Sequence, residues 1–184
     1  MSGQAGWWGR GGVPGAGDAE LDWLAFEQSG VLTSRQAADS LGRATVRGLV
    51  RSGRWRAICH DVLLTGNGRL TRDQQLWVAV LAAGRDAVLA GATAAVEAGV
   101  RGLRPEPLYV LIPATRQVSG TLRQLPLDMP AVLVRRSTIL PDSHLQLARP
   151  MRTSVAGHWP TRQAGRDPTT RRGRSSPPVV SSAV

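Results

Sequence analysis

The sequence predicts an α+β protein: a compact helical segment closed by a short hairpin, then a small sheet-forming segment. Three observations carry that prediction. Two capping boxes, Thr33-Ser34-Arg35-Gln36 and Thr71-Arg72-Asp73-Gln74, mark helix starts. Between Arg54 and Leu64 the chain alternates, turns and returns, as two short strands do. Farther on, Leu108 to Ile112 and Ala131 to Arg135 are apolar runs bounded by Pro107 and Pro113, and by Pro130 and Ser137.

Residues 1–18 are Gly-rich, carry Trp7 and Trp8 and hold few aliphatics, so a disordered leader is expected. Glu20 to Gln28 reads as a first helix with Leu21, Leu24 and Ala25 inward, and Trp23 and Phe26 over the junction with the hairpin. After the first capping box Ala37, Ala38 and Leu41 line one face, and Gly42 separates this helix from the next. In Arg43 to Ser52, Val46, Leu49 and Val50 make a buried face. Arg43, Arg47 and Arg51, at i, i+4 and i+8, stack on another. Gly48 inside this helix costs roughly 1 kcal/mol against Ala, which is consistent with either close approach of another backbone or a tolerated defect. Gly53 closes the helix. Trp55 and Ile58 cannot share a strict strand face, so a bulge or an early end of the strand is expected. Cys59-His60-Asp61 makes the turn and Val62 to Leu64 returns. Helix, turn, helix and two-stranded wing make residues 19–68 a winged helix-turn-helix, in which the second helix enters the DNA major groove and flanking groups hold phosphates.

Residues 69–156 form the second expected unit, a small α+β domain. Thr71 to Ala83 is a helix with Leu76, Trp77, Val80 and Leu81 on its apolar face, stopped by Gly84. Ala87 to Leu89 is short and extended, Ala92 to Ala98 is an alanine-rich helix, and 99–104 turns. The two apolar runs pair in one sheet under the helices, and Pro150 to Ala156 opens another helix. Arg116, Arg123, Arg135 and Arg136 are the raw material of a second basic patch, against a default of solvated surface. Residues 157–184 are a basic, Pro/Ser-rich tail expected to be disordered.

Composition narrows the function. The chain has 184 residues, a formal charge of +10 and a pI near 11.6, and all 23 of its basic residues are arginine. Codon bias of a GC-rich genome accounts for the lack of lysine. The basic excess itself favours an anionic partner, nucleic acid first. One cysteine excludes an internal disulfide and fits a reducing cytoplasm. Neither an apolar run long enough to span a membrane nor a signal peptide is read. The histidines, His60, His144 and His158, have no metal-ligand spacing. Cys59-His60 and Asp142-Ser143-His144 are neighbours in sequence, which does not make a catalytic constellation. Gly66-Asn67-Gly68 is a turn rather than a phosphate loop. The expectation is a protein that is not an enzyme, with no cofactor and no metal. Its candidate DNA-contacting residues are Arg43, Arg47 and Arg51 for the groove, Thr45 for a base edge, and Arg54 and Arg56 for phosphates.

The stretch Gly30-Val31-Leu32-Thr33, Arg47 and Val50, and Arg51-Ser52-Gly53-Arg54-Trp55 resembles the N-terminal winged helix of AbiEi-like antitoxins from type IV toxin–antitoxin systems, and actinobacterial proteins built on the same plan. The resemblance spans about Leu21 to Ala156. It implies double-stranded DNA as partner, an autoregulating first domain, and a second domain that neutralises a nucleotidyltransferase-like toxin. Two departures stand out. The hairpin turns on His60-Asp61 where such wings carry Pro-Gly, which implies a less rigid wing. Ala90-Gly91 stands where relatives often carry Ser-His. Regrouping the codons after Ala156 by one base restores a helix pattern typical of such relatives, so the tail from Gly157 is expected to lie in a shifted frame and the second domain to be truncated. Without the tail, residues 1–156 hold 18 arginines and 12 acids, net +6, so the basic bias survives. Two alternatives remain open: the remnant of a winged-helix protein that carried a very-short-patch-repair-like endonuclease, and a winged helix that binds protein.

Overall fold

The structure is a computed structural model that describes residues 13–15, 17, 19–104, 106–118, 120–138, 145–146 and 149–153. Among the described residues five α-helices and two sheets make it α+β. The expectations for residues 1–12, Asp142 to His144, His158 and the tail from Gly157 lie outside the described residues.

Helix α1 (Glu20–Glu27) buries Leu21 and Ala25. Its Trp23 and Phe26, expected over the hairpin junction, instead stand on the outer side at 38% exposure, edge to face at 6.3 Å. A short strand, β1 (Val31–Thr33), follows and runs directly into α2 (Ser34–Leu41). Both halves of the capping box are formed: Gln36 N–H donates to Thr33 Oγ1 at 3.1 Å, and Thr33 N–H to Gln36 Oε1 at 2.7 Å. Gly42, at φ 78°, turns the chain into α3 (Arg43–Arg51); a left-handed residue there suits glycine.

Strands β2 (Arg56–Cys59) and β3 (Val62–Leu64) form the expected hairpin, and the register slips between Ala57 and Cys59, so of a bulge and an early strand end the chain takes the bulge. The sheet has three strands rather than two, in the order β1-β3-β2, with Val31 opposite Leu64 and Thr33 opposite Val62. Three residues are too few to show alternation, so β1 was hidden inside the lead-in to the capping box. One face of this sheet presents Leu32 and Leu63 to Leu21, Ala25, Ala37, Val46 and Trp55. The other presents Val31, Ile58, Cys59, Val62 and Leu64 to Leu70, Val78 and Ala82.

Those last two contacts come from α4 (Arg72–Ala83), capped by Thr71 as expected. Its opposite side, Leu76, Ala79, Val80 and Ala83, packs on a second sheet through Leu89, Leu108, Val110 and Ile112. The single apolar stripe expected on this helix was therefore too narrow: Val78, Ala79, Ala82 and Ala83 are buried, while Trp77 and Leu81 are half-buried. A helix between two sheets needs apolar residues on both sides, and alanines let both approach closely.

The second sheet has the order β6 (Val132–Ser137), β5 (Leu108–Pro113), β4 (Val88–Leu89), β8 (Arg152–Thr153), β7 (Leu145–Gln146). The two apolar runs pair as expected, in parallel: β5 (Leu108–Pro113) sets Leu108 opposite Val132 and Val110 opposite Val134 of β6 (Val132–Ser137). Strand β4 (Val88–Leu89) lies antiparallel to β5, and α5 (Gly91–Glu97) follows it. Residues 152–153, expected in a helix, are strand β8 (Arg152–Thr153), parallel to β4 and antiparallel to β7 (Leu145–Gln146). The Leu89 N–H donates to Met151 O at 2.9 Å: an unfilled side of β4 would leave backbone groups unpaired, and that need overrides local helix preference. Ser154 to Ala156 lie outside the described residues. Arg72 pairs with Glu97 at 3.0 Å, Arg152 donates to the Glu97 carbonyl, and Arg149 pairs with Glu27. No described helix is long and apolar enough to cross a membrane.

Candidate functional site

The site begins with the spacing of three arginines. Val46 is buried and Leu49 and Val50 are half-buried under the first sheet. The 100° step of a helix then sends Arg43, Arg47 and Arg51 outward along the side next to Val46 and Val50, and all three are exposed. They form one wall of a groove of about 950 Å³. Arg35 and Asp39 of α2 and His60-Asp61 of the hairpin turn complete the rim, and Ala38, Val46, Val50, Ala57 and Leu63 pave the floor.

Local bonds hold the walls. Ser34 N–H donates to Asp61 O at 2.8 Å, fastening the hairpin turn to the first residue of α2. His60 Nδ1 and Asp61 Oδ1 lie 3.1 Å apart. The turn that carries His60-Asp61 in place of Pro-Gly is tied to α2 by that backbone bond. Arg35 and Asp39 approach to 3.6 Å in an exposed i, i+4 pair, which is worth only a few tenths of a kcal/mol. Four arginines against two aspartates leave the groove two charges positive.

Of the six candidate residues, Arg43, Arg47 and Arg51 line this groove. Thr45 and Arg54 are exposed but do not line it: Thr45 sits on another side of α3, and Arg54 follows the helix end. Arg56 points away. Its register partner is Leu64, on the α4 side of the sheet, and its guanidinium meets Asp128 at 3.3 Å with about a third of the side chain exposed. Strand alternation sends Ala57 to the groove and Arg56 to the opposite face. Arg35, Asp39, His60 and Asp61 also line the groove and were not singled out. Arg35 is eight residues before Arg43, but two helices separated by a left-handed glycine share no common period, so no spacing rule connects them.

Gly48 meets nothing within 4 Å of a Cβ built on it. That decides between the two readings of this glycine: no neighbouring backbone needs it. Cys59 is buried, and desolvation pushes its thiol above the ordinary value, with backbone N–H groups of Asp61 and Val62 opposing and the Asp61 carboxylate adding to the rise. A buried neutral thiol is a poor nucleophile. The arginines proposed as a second patch do not gather: Arg116 pairs with Asp86 at 3.4 Å, and Arg135 and Arg136 project to opposite faces of β6. Among the described residues no group of three or more His, Cys, Asp or Glu is placed to hold a metal. Comparison with family models, curated proteins and solved structures finds no match to this chain.

Proposed function

We propose that residues 19–68 act as a winged helix that binds double-stranded DNA, with α3 in the major groove and the His60-Asp61 hairpin as a short wing. The observation that carries this reading is the exposed ladder Arg43, Arg47, Arg51 on one wall of a groove that also holds Arg35. Stacked like charges repel by a few tenths of a kcal/mol per pair in the free protein, and phosphates relieve that repulsion. The net charge of +10 supplies long-range attraction. Arg54 and Thr45 flank the ladder and reach phosphate or a base edge in this reading. Arg56 is left out, because Asp128 already engages it.

The regulator resembles an autoregulating type IV antitoxin, with a nucleotidyltransferase-like toxin as its further partner, and works without catalysis in the cytoplasm. The apolar floor formed by Ala38, Val46, Val50, Ala57 and Leu63 favours one second reading, a groove that takes a protein segment.

Titrating the full chain against its own upstream DNA and against random duplex, at two salt concentrations, separates these readings. Salt-sensitive binding that prefers the upstream duplex is the expected result. Arg47→Ala should flatten the slope of log K against log salt by roughly 0.9. An unchanged slope and affinity removes α3 from the interface, and no DNA binding at all turns the groove toward a protein partner.

A further inference from the structure

The second sheet ends in an open edge that DNA binding does not use. Among the described residues strand β6 is last in its sheet and pairs on one side only, with β5, over six residues. In a parallel ladder alternate residues direct both backbone groups to the same neighbour. Leu108 N–H donates to Ala131 O and Ala114 N–H to Ser137 O, so the odd-numbered positions of β6 face β5. Val132, Val134 and Arg136 therefore turn N–H and C=O toward the open side.

The side chains around this edge have a consistent chemistry. Leu133 is 46% exposed. Leu133 and Arg135 border a shallow depression with Tyr109, Leu111, Ala90 and Gly91. Arg136 stands on the other face, in line with Val132 and Val134. From 113 to 138 the chain has four arginines and one acid, Asp128, which Arg56 already neutralises. Exposed edges are hazards that charges blunt against self-pairing. Arginines on both faces do that here, and the same two charges select an acidic strand.

We propose that the free edge of β6 docks an extended acidic segment of a partner protein, which joins the five-stranded sheet as one more strand. Outward backbone groups of Val132, Val134 and Arg136 supply the hydrogen bonds. Adjacent acidic residues in the guest meet Arg135 on one face and Arg136 on the other, and an apolar residue two places on covers Leu133. A second copy of this chain is a poor guest, because it brings its own arginine pair to the same edge.

The probe is an acetylated hexapeptide with two adjacent glutamates and, two places on, a valine, added to the full chain and read by amide hydrogen exchange. Saturable protection of the amides of residues 132, 134 and 136 is expected. Arg135→Glu combined with Arg136→Glu should weaken binding about tenfold, since each opposite-charge cross-strand pair becomes a like-charge one. Val134→Pro removes an outward donor, keeps the pairing to β5 and should abolish binding. The charge reversal lies wholly on the surface, so its result stands whether or not the proline variant folds. No protection by the acidic peptide, or equal protection by a lysine version, overturns the proposal. So does protection that grows with protein concentration alone, which assigns the edge to a second copy.

Discussion

Arg47 and Arg56 are both arginines of one basic stretch, and they serve opposite purposes. Arg47 lines the groove, while Arg56 crosses to the α4 side of the sheet and meets Asp128. Arg56→Ala should cost about 1 kcal/mol in urea unfolding and leave the salt dependence of the proposed DNA binding as it was, the reverse of Arg47→Ala. The glycines divide in the same way. Gly48→Ala should stabilise the chain by up to about 1 kcal/mol, since helix propensity improves and no atom stands in the way. Gly30→Ala should destabilise it by roughly 1–3 kcal/mol: its φ is 82° and the new Cβ lies 2.8 Å from Thr65 Oγ1. Cys59 adds a pH dependence. Its thiol ionises less readily folded than unfolded, so its contribution is intact at neutral pH and is lost as pH rises past the ordinary thiol value. A Cys59→Ala variant should show a smaller alkaline loss of stability than the parent.

Elements were legible in the sequence wherever a local rule forces them. Both capping boxes, the arginine ladder, the bulge after Trp55 and the pairing of the two apolar runs follow from side-chain chemistry within a few residues. Thr33→Ala should accordingly lower stability by about 1 kcal/mol, measured by thermal unfolding. What was not legible depends on partners distant in sequence. β1 is too short to alternate, and it exists because β3 pairs with it. β8 takes the place of an expected helix because β4 has an edge to fill. The groove shared the same limit: its α3 wall could be read from spacing, while Arg35 and the His60-Asp61 rim arrive through tertiary packing.

At the scale of the whole molecule α4 is the common wall of both cores, giving Val78 and Ala82 to one and Leu76, Ala79 and Val80 to the other. Each sheet loses the cover of the face turned toward α4 if this helix leaves. The chain should therefore unfold in one cooperative step, with exchange of β3 and β5 amides following the same urea dependence. Two separate transitions would show that α4 does not couple the two cores. Ala79→Gly, in the middle of the shared wall, should lower both together.

The position of β8 also sets an order in time. It lies between β4 and β7, inside the sheet rather than at its rim, yet it is supplied by residues 152–153. During synthesis the N-terminal sheet has all three strands once Leu64 has emerged from the ribosome. The second sheet stays split beside Leu89 until Arg152 and Thr153 follow. For that interval the nascent chain carries a ready groove and an unfinished platform, with the edge of β4 waiting for its last neighbour.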